Sequence, residues 1–323
     1  FQAEDGIRDV ERSRGLGDVY KRQEKAREAA EGAGGIEEIF SFDDAPGATP
    51  FSALKDSSEL AEVPEIESDK DLVALPYSSG TTGGSKGVML THRNLVANMV
   101  QLDGMHSLSR GLTEEDTVIA ILPFFHIYGL LVIMNWALSN GARIVVMSRF
   151  EIETFLGALQ DYGVTYLHLV PPILLALAKH PVVDQYDLSS LDAINSGAAP
   201  LGEGLASAVE ERLDCIVGQG YGLTETSPVT HHGPNQVRGQ CPHASIGPSL
   251  PNTETQIVDV DSGTALGPGE RGEVWIRGPQ VMRGYLNRPD ATAETLDEDG
   301  WLHTGDIGYA DAVSYTHLTL PTK

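Results

Sequence analysis

Between residues 117 and 213 short apolar runs alternate with helical stretches, and no other feature of the 323-residue sequence restricts its fold as strongly. Residues 117–122, 143–147, 165–170 and 192–196 are rich in β-branched and apolar side chains, and residues 151–162, 172–179 and 201–213 read as helices placed among them. Strands separated by helices run parallel, because a parallel return needs a crossover long enough to hold a helix. The expected fold class is therefore α/β, with largely parallel sheets and flanking helices. Beyond Gly247 the texture changes to Gly/Pro turns between short runs at 255–259 and 272–277, which reads as a smaller, more antiparallel β subdomain. Ahead of the alternating region, residues 24–35 read as a helix tail ending in a glycine pair, 38–42 as a strand, and 45–71 as a proline-containing acidic loop or linker.

Charge narrows the function classes. The chain carries 22 Lys and Arg against 46 Asp and Glu, a formal net charge of −24, so its surface repels polyanions. Nucleic-acid binding through a general basic face is not expected, and any nucleotide must be held by a local site working against the global field. Cys215 and Cys241, with no CxxC pair, build neither a zinc site nor a disulfide framework, which fits a reducing, cytoplasmic setting. No run is apolar for the roughly 18 residues that a membrane span needs, and no secretory signal is present.

Residues 77–92, YSSGTTGGSKGVMLTH, form the densest functional signal. Small residues let successive backbone N–H groups turn inward as an anion-binding nest, the hydroxyls add neutral donors, and Lys86 supplies a point charge. The run at 72–76 reads as a buried strand before this loop, and 91–105 as an amphipathic helix after it. The Walker A pattern does not fit. Counting from Gly80, Ser85 stands at the second glycine position, and Gly87 follows Lys86 where Ser or Thr would bind Mg²⁺.

Further candidates sit at expected strand ends, where open α/β sheets place their ligands. They are His126 and Tyr128 in PFFHIYG, and the small residues of NSGAAPLG at 195–202, which let a flat ring approach the backbone. In GQGYGLTET at 218–226, Gly220 and Gly222 flank Tyr221 so that its ring can stack on a base. Thr224 offers a hydroxyl and Glu225 a hard carboxylate oxygen, enough for an Mg²⁺ held mainly by phosphates. Asp306 in TGD can accept two ribose hydroxyls.

These motifs, in this order, resemble the adenylate-forming ligases, the acyl-CoA synthetase and 4-coumarate:CoA ligase family. That family usually has SSGTTG, two residues ending in Pro, then KG; here Gly84 and Ser85 stand in between, which implies a less preorganised loop tip. The resemblance implies that Ser78, Ser79, Gly80, Thr81, Thr82, Gly83 and Lys86 hold the ATP phosphates. It places Gly197, Ala198, Ala199, Gln219, Gly220, Tyr221 and Gly222 around the adenine, Asp306 on the ribose, and Thr224 and Glu225 at the phosphates and Mg²⁺. His126, Tyr128 and Gly220 then line the acyl pocket, with His126 against the carboxylate, and Arg149 meets CoA. The implied activity is ATP-dependent conversion of a fatty or aryl carboxylic acid to an acyl-adenylate, then to a CoA thioester, catalysed through Lys86, His126, Thr224 and Glu225. Three alternatives stay open: an amino-acid adenylation domain, whose acidic pocket residue FFHIYG lacks; a luciferase-like adenylating oxygenase; and a non-catalytic nucleotide-binding protein.

The two ends read differently from the rest. Residues 2–9 (QAEDGIRD), 14–23 (RGLGDVYKRQ) and 313–322 (VSYTHLTLPT) match translated sequencing-library adapters. The expected organisation is a non-native segment at 1–23, a partial α/β adenylate-forming core at 24–246, a β-rich subdomain at 247–312 and a second non-native segment at 313–323. Both end segments are expected to make few tertiary contacts. The family's C-terminal domain with its catalytic lysine is expected to be absent, leaving a piece that binds nucleotide without completing turnover.

Overall fold

The computed structural model describes residues 16–42, 45–55, 64–78, 85–105, 108–313 and 315–319, and the chain divides into two compact units, Phe1–Glu65 and Ile66–Lys323. The first unit holds helix α1 (Leu16–Ala33), strands β1 (Phe40–Ser41) and β2 (Thr49–Pro50), paired in parallel, and a single helical turn, α2 (Ser52–Lys55). Gly34 and Gly35, both at positive φ, end α1 as the glycine pair implies.

In the second unit the order begins with β3 (Leu72–Ala74), β4 (Tyr77–Ser78), β5 (Lys86–Thr91), α3 (His92–Asp103) and β6 (Thr117–Ala120). A π-helical segment, Tyr128–Trp136, runs into α4 (Ala137–Ser139). There follow β7 (Arg143–Val146), α5 (Ile152–Tyr162), β8 (Tyr166–Leu169), α6 (Pro171–Lys179), β9 (Ala193–Ser196), α7 (Glu203–Leu213) and β10 (Ile216–Gly222). A 3₁₀ turn (Thr224–Thr226) leads to β11 (Val229–His232), β12 (Glu254–Val258), β13 (Gly272–Arg277), β14 (Gly284–Tyr285), α8 (Pro289–Thr295), β15 (Leu302–Ala310) and β16 (Thr316–Leu318).

The central sheet has strand order β11-β10-β9-β8-β6-β7, parallel throughout except for β11. Alternation along its strands separates two cores. Ile119, Leu167, Leu169, Ile194 and Val217 face Phe155, Leu156 and Leu159 of α5, Leu174 and Leu177 of α6 and Val209 of α7. Val118, Tyr166 and Ala193 point the other way, to Leu131 and Trp136 of the π-helical segment and Leu95 and Leu102 of α3. Burial on both faces explains why these strands read as continuous apolar runs. The expected antiparallel β region is the sheet β12-β13-β15-β16. It lies in the same compact unit as the parallel sheet, so the change of texture at Gly247 marks a change of sheet within one unit.

Three expectations need correction. The run at 72–76 forms a strand, β3, but not a buried one: Leu72, Val73 and Leu75 are exposed. The phosphate loop does not connect a strand directly to a helix: β4 and β5 pair antiparallel, Tyr77 opposite Gly87 and Ser78 opposite Lys86, so residues 79–84 join the two strands of a hairpin. Residues 86–91 form the middle strand of a sheet ordered β14-β5-β3 because Val88 and Leu90 alternate inward, both fully buried. Helix α3 starts one step later, with Thr91 Oγ1 accepting the Asn94 N–H at 3.2 Å and Asn94 Oδ1 accepting the Thr91 N–H at 2.9 Å. At the other end, the expectation of few contacts fails for residues 315–319. Thr316–Leu318 add an edge strand to β15, Thr316 is buried, and its carbonyl accepts the Ser245 hydroxyl at 2.8 Å. Alternating β-prone side chains beside the open edge of β15 suffice for that pairing. Residues 1–15 lie outside the described residues.

Candidate active site

Three parallel strands deliver candidate residues at their carboxyl ends. Beyond β6, the exposed His126 accepts the Tyr128 N–H on Nδ1 at 3.2 Å, so the proton of its neutral ring sits on Nε2, and desolvation lowers its pKa, in the direction of that neutral form. Tyr128 turns inward. Its buried hydroxyl accepts a hydrogen bond from Asn195 Nδ2 at 3.3 Å and lies 3.2 Å from Nδ1 of His168, a ring that burial keeps neutral with a pKa of about 3. Next to β9, a Cβ on Gly197 would stand 2.9 Å from Cε1 of Tyr128, so the ring lies against the backbone because that residue is glycine. Ala198 follows at φ +65°, a left-handed conformation rare for alanine and typical of functional turns.

At the end of β10, residues 216–222 of this glycine-rich segment are strand, paired antiparallel to β11 with a bulge between Tyr221 and Gly222. A Cβ on Gly222 would overlap the Pro228 carbonyl oxygen at 2.0 Å, so the close backbone approach at this bulge requires glycine. The Tyr221 hydroxyl donates to Asp306 Oδ2 at 2.5 Å, joining the parallel sheet to β15. Burial, and then the Asp306 charge, raise the Tyr221 pKa well above its ordinary value, so the phenol remains a donor. Thr304 Oγ1 accepts the Asp306 N–H at 3.1 Å and fixes the turn that presents the exposed carboxylate.

A second group gathers around Tyr285. The turn Thr224–Thr226 packs against β4 and β5, and the Glu225 carbonyl accepts the Met282 N–H at 2.8 Å, while Arg283 and Leu286 bond to Met89 and Gly87 of β5. Within this frame the Tyr285 hydroxyl donates to Oε1 of the buried Glu225 at 2.8 Å, and Lys86 Nζ stands 4.7 Å from the centre of the same ring. Burial and the Glu225 charge raise the Tyr285 pKa, so it too acts as a donor. Ser78, opposite Lys86, is buried with an Oγ that has no hydrogen-bond partner among the described residues.

Other candidates are placed differently. Gln219 does not present a free amide: Oε1 accepts the Leu201 N–H at 3.3 Å, and Nε2 donates to the His243 and Ser245 carbonyls. Gly220 borders the Asn195 amide, and half-buried Thr224 opens the 3₁₀ turn beside Glu225. Ala199 is exposed next to Ala198. Arg149 stands exposed beyond β7 at the sheet edge, where its charge adds to the Thr154 hydrogen bonds that lower the Glu151 pKa. Ser79, Gly80, Thr81, Thr82 and Gly83 lie outside the described residues.

A family model described as AMP-binding enzyme matches residues 13–286. The chain belongs to that family. Among similar curated proteins is 4-coumarate–CoA ligase 1 of Petroselinum crispum, 47% identical over 285 residues, which cover 85% of this chain and 51% of that protein. Among solved structures, a long-chain-fatty-acid–CoA ligase from Archaeoglobus fulgidus superposes with a TM-score of 0.78 at 28% identity, covering 90% of this chain and 60% of that one. ATP-bound MatB from Rhodopseudomonas palustris gives a TM-score of 0.74 at 30% identity, covering 83% of this chain and 51% of that one. The chain thus spans about half the length of the curated relatives it matches.

The site fits the nucleotide and metal that this AMP-binding family implies. Among the described residues no cluster of three or more His, Cys, Asp or Glu converges as a cage, and Glu225 offers one carboxylate whose Oε1 is held by Tyr285. A cation that takes most of its ligands from phosphates and water needs little more from the protein. Sequence reasoning missed Tyr285 as a site residue, along with Asn195 and His168. The one local signal for Tyr285 was the glycine before it. Gly284 sits at φ +144°, and a Cβ there would stand 2.8 Å from Thr292 Cγ2, so a special backbone aims the following aromatic.

Proposed function

We propose that this chain holds ATP and a carboxylic acid for adenylate formation, as part of an acid–thiol ligase that passes the acyl group to CoA. The observation that supports this best is the seating of Lys86 over the Tyr285 ring and of Glu225 on the same residue's hydroxyl, one cationic and one anionic. Lys86 would draw the β- and γ-phosphates, with Ser78 and the residues 79–83 donating beside it, and Thr224 adds a hydroxyl next to Glu225. Glu225 would hold Mg²⁺, which when bound neutralises phosphate charge. Tyr221, with Gly197, Ala198, Ala199, Gly220 and Gly222, offers a flat face to adenine, and Asp306 accepts from the ribose hydroxyls. Gln219 serves this wall by tying its loops together.

His126 Nε2–H is suited to orient the attacking carboxylate, because a neutral donor steers an oxygen without quenching its nucleophilicity. Tyr128 and the Gly197 backbone form the wall for the acyl group, fatty or aryl, and Arg149 is available to an anionic CoA phosphate. A cytoplasmic setting and the absence of nucleic-acid partners belong to the same proposal. Among the described residues no helix is long and apolar enough to cross a membrane.

Isothermal titration of the purified chain with MgATP tests the reading. Saturable binding that Glu225→Gln and Asp306→Ala each weaken is the expected result; no binding, or binding indifferent to both changes, overturns it.

A further inference from the structure

The Lys86 and Glu225 side chains approach the same ring, yet among the described residues they form no ion pair within 4.0 Å, although opposite charges in one partly buried corner attract strongly. Each instead engages a different part of Tyr285. Its hydroxyl takes Glu225 Oε1 at 2.8 Å and its π-face lies 4.7 Å from Lys86 Nζ. The ring cannot drift, because Tyr285 is 5% exposed, its backbone pairs with Val88, and its N–H donates to Thr292 Oγ1 at 2.9 Å.

We infer that Tyr285 is a positioning residue that keeps the phosphate-binding lysine and the metal-binding carboxylate apart and separately aimed. The inference rests on the reading of the site given under Proposed function. The hydroxyl immobilises one carboxylate oxygen and leaves Oε2 for a cation; the ring gives the ammonium a neutral resting place from which a phosphate can draw it. Without the ring, Lys86 and Glu225 collapse onto each other, and ATP and Mg²⁺ must then compete with an internal ion pair.

The test is calorimetric titration of the whole chain with ATP at a series of Mg²⁺ concentrations, for the unsubstituted protein, Tyr285→Phe, Tyr285→Leu, Glu225→Gln and the double variant Tyr285→Phe/Glu225→Gln. Tyr285→Phe keeps the buried ring and the strand pairing, so its melting temperature stays near that of the parent. It should raise the Mg²⁺ concentration for half-maximal enhancement of ATP binding about tenfold, the effect of losing one hydrogen bond to a charged group. Its ATP affinity without metal should stay within about twofold, as expected if the ring still supports Lys86. The double variant should be no worse than Glu225→Gln alone, because the hydroxyl acts through that carboxylate. Tyr285→Leu should weaken ATP binding even without metal, and combining it with Glu225→Gln should restore part of that loss by removing the internal ion pair. A Tyr285→Phe variant with unchanged Mg²⁺ dependence, or one that weakens binding equally at every Mg²⁺ concentration, overturns the inference and leaves the reading of the site intact. Failure of the unsubstituted chain to bind ATP overturns both.

Discussion

In the function proposed above, the parallel sheet and the corner built by β5, β14 and the Glu225 turn serve one site by opposite physical means. The sheet contributes strand ends that carry neutral groups, His126, Tyr128, the Gly197 backbone and Tyr221, over an interior in which His168, His231 and His232 are buried and uncharged. The corner contributes charges, Lys86 and Glu225, both in contact with one tyrosine. A nucleotide has the same division, with a flat weakly polar base at one end and a polyanion at the other. Stability and recognition should therefore be separable: the sheet should set stability, and the corner should set binding of charge.

Breaking the sheet should give the largest effect. Phe155→Ala empties a fully buried position between α5 and the strands and should destabilise by about 3–5 kcal/mol in denaturant melts. A loss below 1 kcal/mol would mean that this face is not the core.

Acid sharpens the contrast next. Burial lowers the pKa of His168 and His231 to about 3 and of His232 to about 4, against about 6.5 in an unfolded chain. The unfolded state therefore binds more protons in this window, so the contribution of these rings is full above about pH 6.5 and is lost as the pH falls towards 4, by on the order of 1 kcal/mol per pH unit for each ring. Urea melts from pH 7 to 4.5 should show this slope, and replacing His231 by Gln should reduce it. A flat profile would contradict neutral burial.

At the charged corner, Lys86→Ala should weaken MgATP about tenfold or more while moving the melting temperature little, since Lys86 is only partly buried. A change in stability that matched the change in binding would erase the proposed separation. The smallest expected effect is at the joint between β5 and α3, where Thr91→Ala removes the helix cap and should cost about 1 kcal/mol without altering nucleotide affinity.

The sheet was the more legible region. Residues 166–169 and 193–196 announce themselves because strands buried on both faces are apolar without interruption, and only their ends shift by a residue or two. The π-helical segment went unread for a related reason: YGLLVIMNW is apolar on all sides, so its pattern marks no face. The corner was half legible. Lys86 and Glu225 stand in recognisable motifs, but the hairpin that positions Lys86 depends on long-range pairing of β5, and Tyr285 reaches Glu225 across 60 residues of sequence. Gln219 shows the converse, a residue in a nucleotide motif whose amide holds the structure together. Composition could not foresee that residues 316–318 would find an open strand edge.

Titrating the chain separately with the two halves of the nucleotide, adenosine and magnesium pyrophosphate, tests whether a neutral end and a charged end share it. Tyr221→Ala should weaken adenosine and leave magnesium pyrophosphate unchanged, and Lys86→Ala should do the reverse. If each substitution weakens both probes alike, or neither probe responds to either substitution, the division of the site is wrong.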